Sequence, residues 1–268
     1  MKIDFTINEY ALVWYILFQS DVNDNICNFK EKLWKIYKEQ YKNTHKDRVD
    51  ILIENKDFIP DNDILYNLFF ENKDYQKELK NVEKYRIELL KEWDKNSKIT
   101  TAFYKNIVRK KINNYTIYVV CKESNIIDCS VKNTIVIGID SKENKFIDYL
   151  LKINMAIILT NTKKYDNKED ETLRLAIIEL AVMNEYASNL RNKSCFISGS
   201  TKLYDLKIKL YPYWLMYIGI SQDKLIDRMK TDNIVFDLGE YPYNKDLRKM
   251  NIEEFINFCV KNKKNFIK

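Results

Sequence analysis

The sequence predicts an α+β protein that is mostly helical, with a small, mainly antiparallel sheet over about residues 115–160 packed against a buried central helix over 171–190. Hydrophobic residues recur at three- and four-residue spacing along most of the chain, which is typical of amphipathic helices. The 268 residues include only 4 Gly and 3 Pro, too few for the turns of a many-stranded sandwich. Runs of β-branched and aromatic residues, which favour strands, are concentrated in the middle of the chain.

We expect two regions, a helical N-terminal region over residues 1–112 and an α+β region over 113–268. The N-terminal region starts with Ile3 to Ile7, which alternates between apolar and polar residues as a strand does. The helices predicted after this strand cover residues 10–18, 26–44, 63–71, 74–94 and 100–112.

The α+β region contains the predicted strands and the central helix. The strands cover residues 115–121, 134–139 and 155–160. The central helix over 171–190 has neither Gly nor Pro to interrupt it. Further helices are predicted over 201–218, 221–231 and 251–263. Pro212 lacks a backbone donor, so we expect the first of these to kink or stop at Tyr211.

Composition and charge indicate a protein of the cytoplasm. The 45 basic and 39 acidic residues are interspersed, and the net charge of +6 is mild for a dedicated nucleic-acid-binding domain. The 5 cysteines include no C-x-x-C pair, which favours a reducing compartment over a disulfide framework. No apolar run is long enough to span a bilayer, and the first residues lack the basic start of an export signal.

Glu179 is the most informative residue of the central helix, because it lies on an apolar face. At about 100° per residue, it falls roughly 140° away from Arg174. The polar stripe of that helix comprises Arg174, Glu185, Ser188 and Asn189. Arg174 and Glu185 are therefore interpreted as an exposed face, whereas the Glu179 carboxylate must be paired or protonated to be buried.

Candidate partners of Glu179 lie in the helix that follows the central one. Lys207 or Lys209 can reach inward, and tyrosine hydroxyls can donate to the carboxylate. The side chains predicted to line a binding site are Tyr186, Lys207, Tyr211, Tyr213, Trp214 and Tyr217. Aromatic residues at this helical spacing also suit a hydrophobic core, so both interpretations stay open.

The window Ile178-Glu-Leu-Ala-Val182, together with the order of strands, loop, helix and second helix over 115–219, resembles the core of the zincin metallopeptidases. In that family the helix carries His-Glu-x-x-His, whose two histidines bind zinc while the Glu activates water. Ile178 and Val182 stand at the two ligand positions, and the only histidine of the chain is His45. The resemblance therefore implies a metal-free relative without a cofactor.

Three functions follow as hypotheses. The first is a non-catalytic, zincin-like protein that binds a protein or peptide partner. The second is a hydrolase that uses Glu179 as general acid or base, with Lys207 or a tyrosine beside it. The third is weak nucleic-acid binding by the lysines of 26–44 and of the tail over 261–268. A fourth, purely structural interpretation is that Glu179 pairs with a basic or tyrosine side chain and pins two helices together.

Overall fold

The computed structural model divides the chain into two compact units. The first unit combines residues 1–93 with 113–149, and the second combines 94–112 with 150–268. Each unit thus joins a stretch that precedes residue 113 to one that follows it. The residues that the structure describes are 2–7, 73–121, 127–129, 132–139, 146–195, 199–236 and 245–267. The helices predicted over 10–18, 26–44 and 63–71 lie outside them.

The first unit is built on a small sheet with strand order β1-β2-β4-β3. Its strands are β1 (Ile3–Thr6), β2 (Tyr115–Cys121), β3 (Ile127–Asp128) and β4 (Thr134–Ile139). The central strand β2 pairs in parallel with β1 on one side and with β4 on the other. Only the two-residue strand β3 is antiparallel, at the edge of β4. The predicted strand at Ile3 is confirmed.

The prediction of a mainly antiparallel sheet is wrong, since its three longer strands are all parallel. The side chains of Ile117, Tyr118, Val119 and Val120 are all buried, although neighbours along a strand point to opposite faces. Burial of both faces is characteristic of parallel sheets, whereas an antiparallel sheet commonly leaves one face in water. The uninterrupted apolar run in β2 was therefore a sign of parallel pairing.

The third predicted strand, over 155–160, is also wrong, because these residues belong to helix α3 (Phe146–Asn161). A short apolar run does not distinguish a strand from a buried helix, and here the helix extends over 16 residues without Gly or Pro. Two side-chain hydrogen bonds, each to the carbonyl one helical turn earlier, are consistent with the helix. The Asn154 side chain donates to the Leu150 carbonyl at 2.8 Å, and the Thr160 hydroxyl donates to the Ala156 carbonyl at 2.9 Å.

In the first unit, helix α1 (Lys73–Lys95) packs against β1. The Trp93 ring lies edge-on to Phe5, with 5.8 Å between ring centroids, and the Arg86 guanidinium donates to the Phe5 carbonyl at 3.2 Å. The helix predicted over 74–94 is thus confirmed, with one more residue at each end.

The second unit consists of helices, which confirms the prediction of a mostly helical chain. Helix α2 (Ser97–Phe103) continues into a π-helical turn (Tyr104–Val108). The central rod comprises α4 (Lys168–Glu179), a π-helical segment (Leu180–Tyr186) and α5 (Ala187–Arg191). The remaining helices are α6 (Tyr204–Tyr217), α7 (Gln222–Asp232) and α8 (Ile252–Lys261), with 3-10 turns at Thr201–Leu203, Lys245–Lys249 and Lys263–Asn265.

Side chains determine where several of these helices start and end. Asn167 and Asn251 cap α4 and α8 by accepting hydrogen bonds from the first backbone N–H groups. Helix α6 ends at Tyr217, shortly before Gly219, which adopts a left-handed φ of 85°. Of the kink or stop predicted at Tyr211, the stop is absent: α6 runs through Pro212, and the buried side chains around it offset the lost hydrogen bond. None of the helices in the described ranges is long and apolar enough to cross a membrane.

We expect the substitutions Val119→Ala and Val120→Ala to destabilise the protein to a similar extent. Both side chains are buried, on opposite faces of β2, and each substitution removes about 2 kcal/mol of apolar burial and packing. The free energy of unfolding, measured by urea denaturation, checks this. A large loss for one variant with no loss for the other would contradict a sheet that is covered on both faces.

Candidate functional site

Glu179 is the last residue of α4, and its carboxylate joins three parts of the second unit. It accepts a hydrogen bond from the Ser200 backbone N–H, at 3.3 Å to Oε1 and 3.1 Å to Oε2. The Lys207 ammonium of α6 donates to Oε2 at 3.1 Å. The Lys207 side chain is 2% exposed and that of Glu179 is 14% exposed. The structure therefore pairs the carboxylate that the sequence predicted to be buried with one of its two candidate lysines.

The backbone at Gly199 lies directly against the Glu179 carboxylate. A Cβ atom at position 199 would lie 2.6 Å from Glu179 Oε2, which is closer than van der Waals contact allows. The backbone φ of Gly199 is also +99°, a region that side chains disfavour. The absence of a side chain thus lets the loop lie directly against the carboxylate. Gly199, the Ser200 N–H and Lys207 together enclose Glu179.

The π-helical segment turns a second carboxylate toward α6. Its hydrogen bonds close over five residues instead of four, so each turn contains about one extra residue. As a result Glu185, six residues after Glu179, accepts a hydrogen bond from the indole N–H of Trp214 at 3.0 Å. Lys207 and Trp214 are seven residues apart on α6, about two turns of one face. The central rod therefore contacts α6 through two carboxylates.

Glu185 belongs to a buried polar cluster that reaches α7. The Arg228 guanidinium donates to Glu185 Oε1 at 2.6 Å and also binds the Asp232 carboxylate. Asp232 accepts further hydrogen bonds from the hydroxyls of Tyr211, at 2.5 Å, and Ser194, at 2.8 Å. Burial alone would lower the pKa of Arg228, but the two carboxylates raise it above its usual value. Arg228 therefore carries a charge that the cluster fully compensates.

The interpretation of Arg174 and Glu185 as an exposed face is wrong, since the two residues are 3% and 6% exposed. Arg174 donates to the Thr162 hydroxyl at 3.1 Å and to Glu171 at 2.5 Å. Two physical reasons explain the difference. The rod is covered along most of its length, so Arg174 and Glu185 are buried although Asn189 of the same stripe is exposed. The π-helical segment also shifts Glu185 away from the position that a uniform 100° step predicts.

The other residues predicted to bind a partner are placed mostly in the core. Of these residues, those with at most 1% of the whole residue exposed are Tyr186, Lys207, Tyr211, Trp214 and Tyr217. Tyr217 stacks on Phe255, with 4.5 Å between ring centroids. Tyr213, at intermediate burial, packs edge-on against Phe266 at 5.0 Å. These α6 residues therefore form a hydrophobic layer beside the Glu179 pair.

Tyr186 lies apart from the α6 residues and contacts α2. Its hydroxyl and that of Thr100 are 2.7 Å apart, and its ring lies 4.8 Å from the ring of Phe103. Burial raises the pKa of Tyr186 to about 12, even though the hydrogen bond with Thr100 acts to lower it. The hydroxyl is thus held in its neutral form inside the unit.

Sequence reasoning missed Arg228, Asp232 and the Gly199–Ser200 wall. The spacing of Arg228 and Asp232, four residues apart in a predicted helix, is a usual signal of an ion pair. A glycine next to a predicted helix start likewise indicates a close approach of the backbone. Within the described ranges, no three His, Cys, Asp or Glu side chains are grouped so that they could hold a metal ion. His45 lies outside those ranges.

We expect Gly199→Ala to destabilise the protein more than Gly219→Ala. Both glycines have positive φ, so both substitutions cost about 1–2 kcal/mol in backbone strain. Only position 199 has a carboxylate in the way, so Glu179 must move and lose its hydrogen bonds, whereas nothing lies within 4 Å at position 219. Thermal or urea unfolding of the two variants measures the difference. Equal losses would show that the loop does not need to lie against Glu179.

We also expect stability to fall as the pH rises from about 10 toward 12, partly through Tyr186. In this window the unfolded tyrosine loses its proton while the folded one keeps it, so deprotonation favours unfolding. Tyr186→Phe should therefore lower the slope of unfolding free energy against pH by about 1 kcal/mol per pH unit. Urea unfolding at several alkaline pH values measures the slope, and an unchanged slope would contradict the role of Tyr186.

Comparison with known proteins does not assign this arrangement to a family. No protein-family model, no curated protein and no solved structure matches the chain. The function is therefore inferred from the geometry of the Glu179 site and from the distribution of charge.

Proposed function

We propose that this chain is a binding protein for an acidic protein or peptide partner, and that Glu179 has a structural role in it instead of a catalytic one. The observation that carries the structural role of Glu179 is the contact of its carboxylate with Lys207, the Ser200 N–H and Gly199. Because these groups already surround the carboxylate, it links α4, α6 and the loop between them.

The burial of Lys207 argues against proton transfer at Glu179. Its ammonium is almost completely removed from water, and a buried charge without a counter-charge costs several kcal/mol. A proton on Glu179 would remove the negative charge that this ammonium contacts at 3.1 Å. A general acid or base must cycle between its two protonation states, so the partner that stabilises the fold here also opposes the cycle.

The hydrolase alternative needs the Gly199–Ser200 loop to leave the carboxylate before a substrate can approach it. The zincin resemblance and the cytoplasmic location stay predictions. The enclosure of Glu179 supports a structural role with or without a zincin ancestor. Measurement of zinc in the purified native protein by inductively coupled plasma spectrometry tests the metal-free state, and stoichiometric zinc would contradict it.

The charge of the two units supports an acidic partner. The second unit contains 26 basic and 16 acidic residues, a net charge of +10, whereas the first contains 19 and 23, a net charge of −4. The net charge thus differs in sign between the units, although both units contain residues of both signs. A strong positive field attracts acidic partners and speeds their association.

The hypothesis of nucleic-acid binding rested on the lysines of 26–44 and of the tail, and the structure gives it little support. The lysine-rich helix predicted over 26–44 lies outside the described residues, and its sequence falls in the first unit, whose net charge is negative. In the tail, Lys263 is bound by Asp170 at 2.9 Å and by Glu169 at 3.4 Å. These pairs occupy Lys263, while Lys261 and Lys264 of the tail are exposed.

We expect Glu179→Gln to destabilise the protein by about 3 kcal/mol, because it removes the carboxylate charge that the buried Lys207 ammonium contacts at 3.1 Å. The double variant Glu179→Gln/Lys207→Met should lose about 1–3 kcal/mol less than the sum of the two single variants. Urea unfolding of all four proteins completes the cycle.

A catalytic role predicts a different result. Catalytic side chains are commonly kept at the expense of stability, so their replacement leaves stability unchanged or raises it. A Glu179→Gln variant at least as stable as the wild type, with additive single losses, would therefore refute the structural role.

A further inference from the structure

We infer that the acidic partner binds at one defined basic surface of the second unit, an inference that rests on the proposed function. This basic surface comprises the exposed residues Lys105, Lys111, Lys163, Lys164, Arg248 and Lys249. They come from three segments, over 105–111, 163–164 and 248–249, which the chain order alone does not bring together.

Arg109 joins the first of these segments to the third. Its guanidinium donates to the Arg248 carbonyl at 2.7 Å and to the Tyr217 carbonyl, at the end of α6, at 3.0 Å. It also lies over the Tyr217 ring, 4.7 Å from the ring centroid. The backbone of Arg109 is left-handed, with φ of 54°, which ends the π-helical turn before it. Arg109 thus holds Arg248 close to the lysines that flank it.

Lys110 joins the first segment to the second. Its ammonium donates to the Asn161 carbonyl at 2.5 Å and binds the Glu253 carboxylate. The other oxygen of Glu253 accepts the backbone N–H of Lys163 at 3.1 Å. Lys163 and its neighbour Lys164 are therefore fixed beside the 105–111 segment by a shared carboxylate.

The charges at this surface are unevenly compensated. Glu253 is engaged by Lys110, and Glu254 accepts the backbone N–H of Asn251 at 2.8 Å. In contrast, the basic residues without an ion pair to any described carboxylate are Lys105, Lys111, Lys163, Lys164 and Arg248. Lys249 pairs with Asp246 at 3.2 Å, and both side chains are largely exposed, so this pair is weak. A net positive charge remains for a partner.

The composition of the surface favours a peptide with spaced carboxylates over a nucleic acid. Five of its six residues are lysines, whose flexible stems carry point charges, whereas the bidentate recognition of phosphate favours arginine. The carboxylates of Asp166, Asp246 and Glu253 also lie on or beside the three segments. They would repel a continuous phosphate backbone, but a peptide can place its acidic residues between them.

The test is fluorescence anisotropy of the full chain with a labelled peptide of alternating Glu and Ser. We expect Lys163→Glu/Lys164→Glu to weaken binding about tenfold at low salt, and the wild-type affinity to fall as sodium chloride rises from about 50 to 200 mM.

The matched control is Lys193→Glu/Lys230→Glu, which makes the same charge change on exposed residues of the same unit. These lie beside the Ser194–Asp232 hydrogen bond, at the far end of α7 from the Ile220 carbonyl that Arg248 binds. We expect the control substitutions to change the affinity for the peptide by less than about twofold.

The outcomes separate this inference from the proposed function. If the peptide binds the wild type and both variants equally, or if the control loses as much as the test variant, an acidic partner is retained but this surface is refuted. If the peptide does not bind at low salt, the acidic partner is refuted together with the surface. If labelled single-stranded DNA binds more tightly than the peptide, and Lys163→Glu/Lys164→Glu weakens that binding, the partner of this surface is a nucleic acid instead of a peptide. Circular dichroism of both variants checks that all these exposed substitutions leave the fold intact.

Discussion

The buried ammonium of Lys207 is the constraint on which the second unit depends. A cation that is 2% exposed needs a counter-charge, and the Glu179 carboxylate provides one at 3.1 Å. This requirement fixes the end of α4 against α6, and it fixes the loop between them because the Ser200 N–H shares the same carboxylate. The pair is therefore better understood as a structural joint between helices than as reactive chemistry.

The π-helical segment provides the second joint. It brings Glu185 to Trp214, two turns further along α6, and Arg228 extends the contact to α7 through Asp232. The contacts of Glu179 and Glu185 with α6 together fix the rotation of the central rod about its own axis relative to α6. These polar groups are thus paired with one another inside the second unit. Positive charge that no described carboxylate balances lies on the basic surface, which faces solvent.

The sequence predicted the parts of this site that depend on local pattern. The helix over 171–190 follows from its periodicity, and the burial of Glu179 follows from its apolar neighbours. The direction in which Glu185 points could not be predicted in this way. A helical wheel assumes the same step at every residue, and no residue of 180–186 indicates a π-helical segment. The direction of the sheet and the helical state of 155–160 were missed for another reason: apolar runs report burial, and burial alone does not specify how strands pair or whether a strand forms at all.

The extra residue in each turn of 180–186 has a consequence for how the gene can change. Conversion of this segment to an ordinary α-helix of the same length would rotate every later residue of the rod by about 100°. Glu185 would then leave Trp214 and Arg228, so that both side chains would lose this acceptor at once. Loss of one codon in the same step would cancel the rotation, so natural variation must preserve the match between the length of this segment and its π-helical turns.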